Sequence, residues 1–193
     1  MNLRRAVFLD RDGTINELAP DPVSGRPESP LRVEDVALMP GAADAIRALS
    51  EAGWLLVGVS NQPAAAKGTI SETDLLAVHA RTLALLEEEG AKLDDFRLCL
   101  HHPDGVLPGL SIVCDCRKPQ PGLLLAAAHD HGIDLHASWM VGDTDADVLA
   151  GEAAGCRTIL IATAGSAHKR SGAGAPDAEV ATFADAARLI AGA

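Results

Sequence analysis

The sequence predicts an α/β fold, a central and mostly parallel sheet with helices on both faces. Three observations predict it. Five or six short apolar runs alternate with helical stretches, and that alternation builds parallel sheets covered by crossover helices. The runs are continuously apolar, as strands buried on both faces are. Three of them end abruptly in reactive residues: Asp10 and Asp12, Ser60-Asn61-Gln62, and Gly142-Asp143. In a parallel sheet these ends share one edge, the edge where open α/β sheets bind ligands.

The elements follow in order. Residues 6–10 form the first strand. A Pro-rich loop covers 16–40, with prolines at 20, 22, 27, 30 and 40, and loops of that length are functional or mobile. A helix over 41–52 sets Ala42, Ala45, Ile46 and Leu49 on one face and stops at Gly53. Residues 55–60 form the second strand. Ser71-Glu72-Thr73-Asp74 reads as an N-cap with an acidic first turn, and its helix runs to Gly90. The third strand spans 96–100, and an irregular cysteine-bearing stretch, 101–118, follows it. A helix after Pro121-Gly122 ends at Gly132. A strand over 139–141 leads into Gly142-Asp143, then a helix over 145–154 and a strand over 158–162. Residues 164–177, rich in Gly, Ala and Ser, read as a flexible loop. A short strand at 179–180 and a helix over 185–191 complete the pattern.

The 193 residues fit one domain, 1–193, with the 16–40 loop and a cysteine loop at 99–118 as its long excursions. No insert is large enough for a separate cap domain. With three Phe, two Trp and no Tyr, the core is aliphatic and a base-stacking platform is poorly supplied. The net charge of −11 argues against nucleic-acid or anionic-membrane partners. No secretory or membrane-spanning stretch is evident, so a cytoplasmic monomer is expected.

The strand ends carry the chemistry. Carboxylates at 10, 12 and 143, with a hydroxyl and amides at 60–62, suit a divalent metal beside an oxyanion. One of Asp145 and Asp147 is expected only to serve the first turn of the next helix. Arg117-Lys118-Pro119 supplies cations for a phosphate. Cys99-Leu100-His101 and Cys114-Asp115-Cys116 offer three thiolates and one imidazole, a closed tetrahedral Zn²⁺ set of the structural kind. His102 could replace His101, and a redox Cys-x-Cys is the rival reading. Cys156 reads as core packing, and His79, His129, His131, His136 and His168 as surface or packing residues.

Phe8-Leu9-Asp10-Arg11-Asp12-Gly13-Thr14-Ile15-Asn16 resembles the first motif of haloacid dehalogenase-type (HAD) phosphatases. Ser60-Asn61-Gln62 resembles the second, Lys118 the third, and Gly142-Asp143-x-x-x-Asp147 the fourth. Cys-x-His-His-Pro followed by Cys-x-Cys-Arg-Lys-Pro-x-Pro-Gly resembles the zinc-binding branch that acts on heptose bisphosphate or histidinol phosphate. The resemblance covers residues 7–155.

It implies a Rossmann-like HAD fold and a phosphomonoester hydrolase working through an aspartyl-phosphate. Asp10 would be the nucleophile and Asp12 the acid and base. Asp10, the Asp12 carbonyl and Asp143 would hold Mg²⁺. Lys118 and Ser60 would bind the phosphoryl oxygens. Arg11, Asn61, Gln62, Arg117 and Thr144 are expected to contact substrate, Arg117 through a second phosphate. Zn²⁺ on Cys99, His101, Cys114 and Cys116 would fix the loop presenting Arg117 and Lys118. Heptose 1,7-bisphosphate is the first substrate expectation and histidinol phosphate the alternative. The stretch Gln62-Pro63-Ala64-Ala65-Ala66-Lys67-Gly68 departs from the usual glycine-containing pattern. That departure keeps open a binding module of another class, zinc-stabilised and without catalysis.

Overall fold

The computed structural model describes residues 3–192. Strand β1 (Ala6–Leu9) is wholly buried and sits inside the sheet. A minor antiparallel hairpin, β2 (Ala19–Pro20) and β3 (Pro27–Glu28), precedes α1 (Ala42–Glu51). Then come β4 (Leu55–Asn61), α2 (Glu72–Glu88), β5 (Asp95–Cys99) and α3 (Gly122–His131). The chain ends with β6 (Trp139–Gly142), α4 (Asp145–Ala154), β7 (Arg157–Ile161), β8 (Ala178–Val180) and α5 (Phe183–Ala191). The main sheet has six strands in the order β5-β4-β1-β6-β7-β8. Every pairing in it is parallel, so the expectation of a mostly parallel sheet is met in full.

Strand alternation in β1 splits the core in two. Val7 and Leu9 pack toward Ile46 and Leu49 of α1, Leu86 of α2, and Phe183 and Ile190 of α5. Ala6 and Phe8 pack toward Leu123, Leu124 and Ala127 of α3 and Ala150 and Ala154 of α4. Burial of the Phe8 side chain alone stabilises by about 1.5–3 kcal/mol.

From β1 the chain moves outward to β4 and β5, then crosses to β6 on the other side. The reversal opens a crevice beside β1 at the carboxyl ends of the strands.

Two loops are more ordered than their composition suggests. Within residues 16–40, the Asp21 side chain accepts from the main-chain N–H groups of Val23 and Ser24, which turns the β2–β3 hairpin. A 3₁₀ turn, Val33–Asp35, follows. Residues 164–177 contain another, Ala167–Lys169, and are hydrogen-bonded to the ends of β6 and β7 by Arg170. The segment is a loop as expected, and one arginine supplies long-range donors that its small residues lack. Helix α5 begins two residues earlier than expected, at Phe183, because Thr182 and Asp185 form a reciprocal capping box.

Candidate active site

Asp10 follows β1 directly and donates its main-chain N–H to Val141 O at 2.9 Å, which pins it beside β6. The chain then turns sharply. Gly13, at φ +85°, donates to Asn16 O at 2.7 Å. A Cβ at Gly13 would lie 2.1 Å from Asp143 Oδ2, so only glycine lets this turn approach the carboxylate.

Lys118 is the electrostatic centre. Its buried ammonium donates to Asp10 Oδ1 at 2.7 Å, Asp147 Oδ1 at 2.5 Å and Val59 O at 2.8 Å. Burial disfavours its charge, but Asp10 and Asp147 overcome that and raise its pKa above the usual lysine value. Asn61 clamps the Lys118 backbone at both ends: Lys118 N donates to Asn61 Oδ1 at 3.0 Å, and Asn61 Nδ2 donates to Lys118 O at 2.8 Å.

Burial pushes the Asp10 carboxyl up to about 6, against the pull of Lys118. Asp143 is also raised well above the ordinary carboxylate range, by burial and by the charges of Asp10 and Asp147. Neither carboxylate oxygen of Asp143 has a hydrogen-bond partner among the described residues, and the nearby Ser166 hydroxyl only slightly offsets the upward shift. One ligand oxygen from each of Asp10, Asp143 and Asp147 can lie within 4.8 Å of the others. Three buried carboxylates against one ammonium leave excess negative charge. A hard divalent cation with oxygen ligands fits that donor set.

Asp12 is held differently. Arg11 grips it through Nε at 3.0 Å and Nη2 at 3.1 Å, Asn16 Nδ2 donates at 2.9 Å, and Gln62 Nε2 at 2.6 Å. Burial works against its charge, but Arg11 and these hydrogen bonds keep its pKa below the ordinary value. Gln62 Nε2 also reaches Ser60 Oγ at 3.0 Å, linking the two strand ends.

These groups surround a cleft of about 360 Å³ lined by Asp10, Asp12, Ser60, Asn61, Arg117, Lys118, Asp143 and Thr144. The convergence of strand ends is as expected. Arg11 is a correction: it is wholly buried, absent from the cleft wall, and bound to Asp12 instead of being free for substrate. Gln62 likewise faces Asp12 and Ser60 and lies outside this cleft, though it lines an adjoining one. Asp145 faces away, accepting from Ser171 N and Oγ and Ala173 N, whereas Asp147 faces Lys118. Lys67 and Lys169 join the cleft wall without having been anticipated. Lys169 pairs with Glu28 at 2.5 Å, also a wall residue. Isolated basic residues in small-residue loops give no pattern to find them by.

The cysteine loop closes on itself. Cys116 Sγ lies 3.2 Å from both Cys99 and Cys114, Cys99 Sγ 3.6 Å from Cys114, and His101 Nδ1 3.3 Å from Cys116. Zn–S bonds of about 2.3 Å imply tetrahedral edges of about 3.8 Å, and the set approaches that size. His101 belongs to this cluster, and His102 instead accepts from Asp104 N. The cysteines are unbridged.

A family model described as HAD-hydrolase-like matches residues 115–186. The D-glycero-beta-D-manno-heptose-1,7-bisphosphate 7-phosphatase of Rhodopseudomonas palustris is 41% identical over 152 residues, 79% of this chain and 80% of that protein. The protein of the same name from Yersinia pestis is 36% identical over 185 residues, 96% and 94% of the two chains. Among solved structures, the D,D-heptose 1,7-bisphosphate phosphatase of B. bronchiseptica, complexed with magnesium and phosphate, superposes with a TM-score of 0.79 at 28% identity. That match covers 96% of this chain and 97% of the other. A HAD-like phosphatase from Mesorhizobium loti gives a TM-score of 0.77 at 32% identity, covering 98% and 87%.

Proposed function

Because the chain belongs to the HAD-like heptose bisphosphate phosphatases, we propose that it removes the 7-phosphate of D-glycero-D-manno-heptose 1,7-bisphosphate through an aspartyl-phosphate on Asp10. The observation that carries this is the placement of buried Asp10 between Lys118 and the unpartnered Asp143 carboxylate, at the bottom of a cleft walled by further cations.

Asp10 Oδ attacks phosphorus as the bond to the sugar oxygen breaks, and Asp12 gives that oxygen a proton it takes up with substrate bound, since Arg11 keeps it a carboxylate in the free protein. Asp12, now a carboxylate, takes a proton from water as the water attacks the aspartyl-phosphate, which releases phosphate and restores Asp10. Lys118 and Ser60 bind the phosphoryl oxygens throughout. Mg²⁺, held by Asp10, Asp143 and the Asp12 main-chain carbonyl, would supply charge neutralisation on those oxygens. Arg117 binds the remote phosphate of the substrate, with Thr144 and Asn61 at the cleft wall.

Cys99, His101, Cys114 and Cys116 would hold a Zn²⁺ that stabilises the loop presenting Arg117 and Lys118. The reading extends to a single-domain, monomeric, cytoplasmic enzyme, the compartment being supported by thiols gathered for a metal instead of bridged. No helix among the described residues is long and apolar enough to cross a membrane.

The test is phosphate release, with Mg²⁺, from heptose 1,7-bisphosphate and histidinol phosphate side by side. At least tenfold higher kcat/KM on the bisphosphate is expected. Preference for histidinol phosphate would overturn the substrate, and release from neither would overturn the reaction.

A further inference from the structure

Three of the four carboxylates at the strand ends are held through their own oxygens: Asp10 by Lys118, Asp12 by Arg11, Asn16 and Gln62, and Asp147 by Lys118 and Thr144. Asp143 is not, since neither of its carboxylate oxygens has a partner among the described residues. Its aim therefore depends on its main chain. The Asp143 carbonyl receives two donors, both from the loop after β7. Ser166 Oγ donates to it at 3.0 Å, and Arg170 Nη1 at 3.3 Å.

The same guanidinium makes further contacts through both Nη atoms. Nη1 reaches Ile161 O at 3.4 Å and Ser166 Oγ at 3.1 Å, and Nη2 donates to Thr163 O at 2.8 Å. Ser166 is wholly buried. Its hydroxyl reaches Asp143 O, accepts from Arg170 Nη1, and lies 2.8 Å from Thr163 Oγ1. The hydroxyl thus joins the Asp143 carbonyl, Arg170 and Thr163 in one buried network.

We propose that Arg170 is a positioning residue for the divalent-cation site: with Ser166 it locks the Asp143 main chain so that the unpartnered carboxylate stays directed at Asp10 and Asp147. This rests on the reading of Asp143 as a Mg²⁺ ligand. Groups that orient a ligand without touching the metal commonly govern affinity by about 10–100-fold. A guanidinium is suited to the task because its fork reaches carbonyls from two adjacent strand ends at once. The next residue toward the N-terminus, Lys169, lines the cleft, so the same anchor also fixes where that cation enters.

The experiment is calorimetric titration of MgCl₂ into the folded protein without substrate. The samples are wild type, Arg170→Ala, Arg170→Lys, Ser166→Ala and Asp143→Asn. Arg170→Ala is expected to weaken Mg²⁺ binding about tenfold, Ser166→Ala to weaken it less, and Arg170→Lys to recover part of the loss. At saturating Mg²⁺, kcat of Arg170→Ala should recover more fully than at limiting Mg²⁺, as a merely destabilised protein would not. If Arg170→Ala fails to fold, Ser166→Ala decides. Wild-type Mg²⁺ affinity in Arg170→Ala and Ser166→Ala, with binding lost in Asp143→Asn, would overturn the positioning role alone. Unchanged binding in Asp143→Asn would overturn it together with the metal reading beneath it.

Discussion

At the scale of single residues, the site is a problem of crowded negative charge. Asp10 shares Lys118 with Asp147, and the Asp143 carboxylate is paired with no cation among the described residues. Asp10→Asn keeps the side chain's shape and a hydrogen-bonding oxygen for Lys118, and it removes the nucleophile. Turnover should fall by at least about 10³-fold with the melting temperature nearly unchanged, as phosphate release and thermal unfolding would show. Substantial residual turnover would sink the aspartyl-phosphate. Sequence spacing brought Asp10, Asp12, Ser60 and Asp143 together because strand ends in a parallel sheet share an edge, and Lys118 joined them as the cation following the cysteine stretch. It could not separate Asp145 from Asp147. Two residues along a helix differ by about 200°, so one faces the site and the other the opposite loop, and the first turn accepts an acid at either position. Nor did it reveal that Arg11, read as a substrate contact, is spent on Asp12.

At the scale of elements, the cysteine loop and Asn61 hold Lys118 from two sides. The loop runs from the end of β5, through its metal-ready cluster, straight into Arg117 and Lys118. Asn61, at the end of β4, clamps the Lys118 backbone independently. Cys116→Ser should therefore abolish Zn²⁺ content and lower kcat by about tenfold without eliminating it, because one anchor remains. Metal analysis beside phosphate release checks this, and full activity in a zinc-free variant would disconnect the loop from catalysis. Composition hid how ordered the other loops are. A single Asp21 side chain turns the β2–β3 hairpin, and Arg170 secures the segment after β7. In both, one polar side chain supplies long-range or turn-closing hydrogen bonds that a count of Gly, Ala and Pro does not register.

For the whole molecule, stability on the acid side has an identifiable contributor in His79. It packs edge-to-face on Phe96, with ring centroids 4.5 Å apart, and its Nδ1 is buried without a partner among the described residues. Burial, and then the Arg11 charge, push it down from 6.5 to about 4. Between those values the unfolded chain binds a proton that the native protein refuses, so stability falls as pH drops through 6.5 toward 4. Urea midpoints at pH 7 and pH 5 should differ less in His79→Leu than in wild type. An equal difference would remove His79 from the acid response.

By itself the sequence determined the alternation of strands and helices, the polar strand ends and the thiol–imidazole set, because each is written in local periodicity or short spacing. The tertiary structure alone decided the order β5-β4-β1-β6-β7-β8, which of two acids faces Lys118, and the reach of Arg170 and Lys169 into the site. Those depend on contacts between residues far apart in the chain, where the direction of one side chain is set by packing that no local pattern encodes.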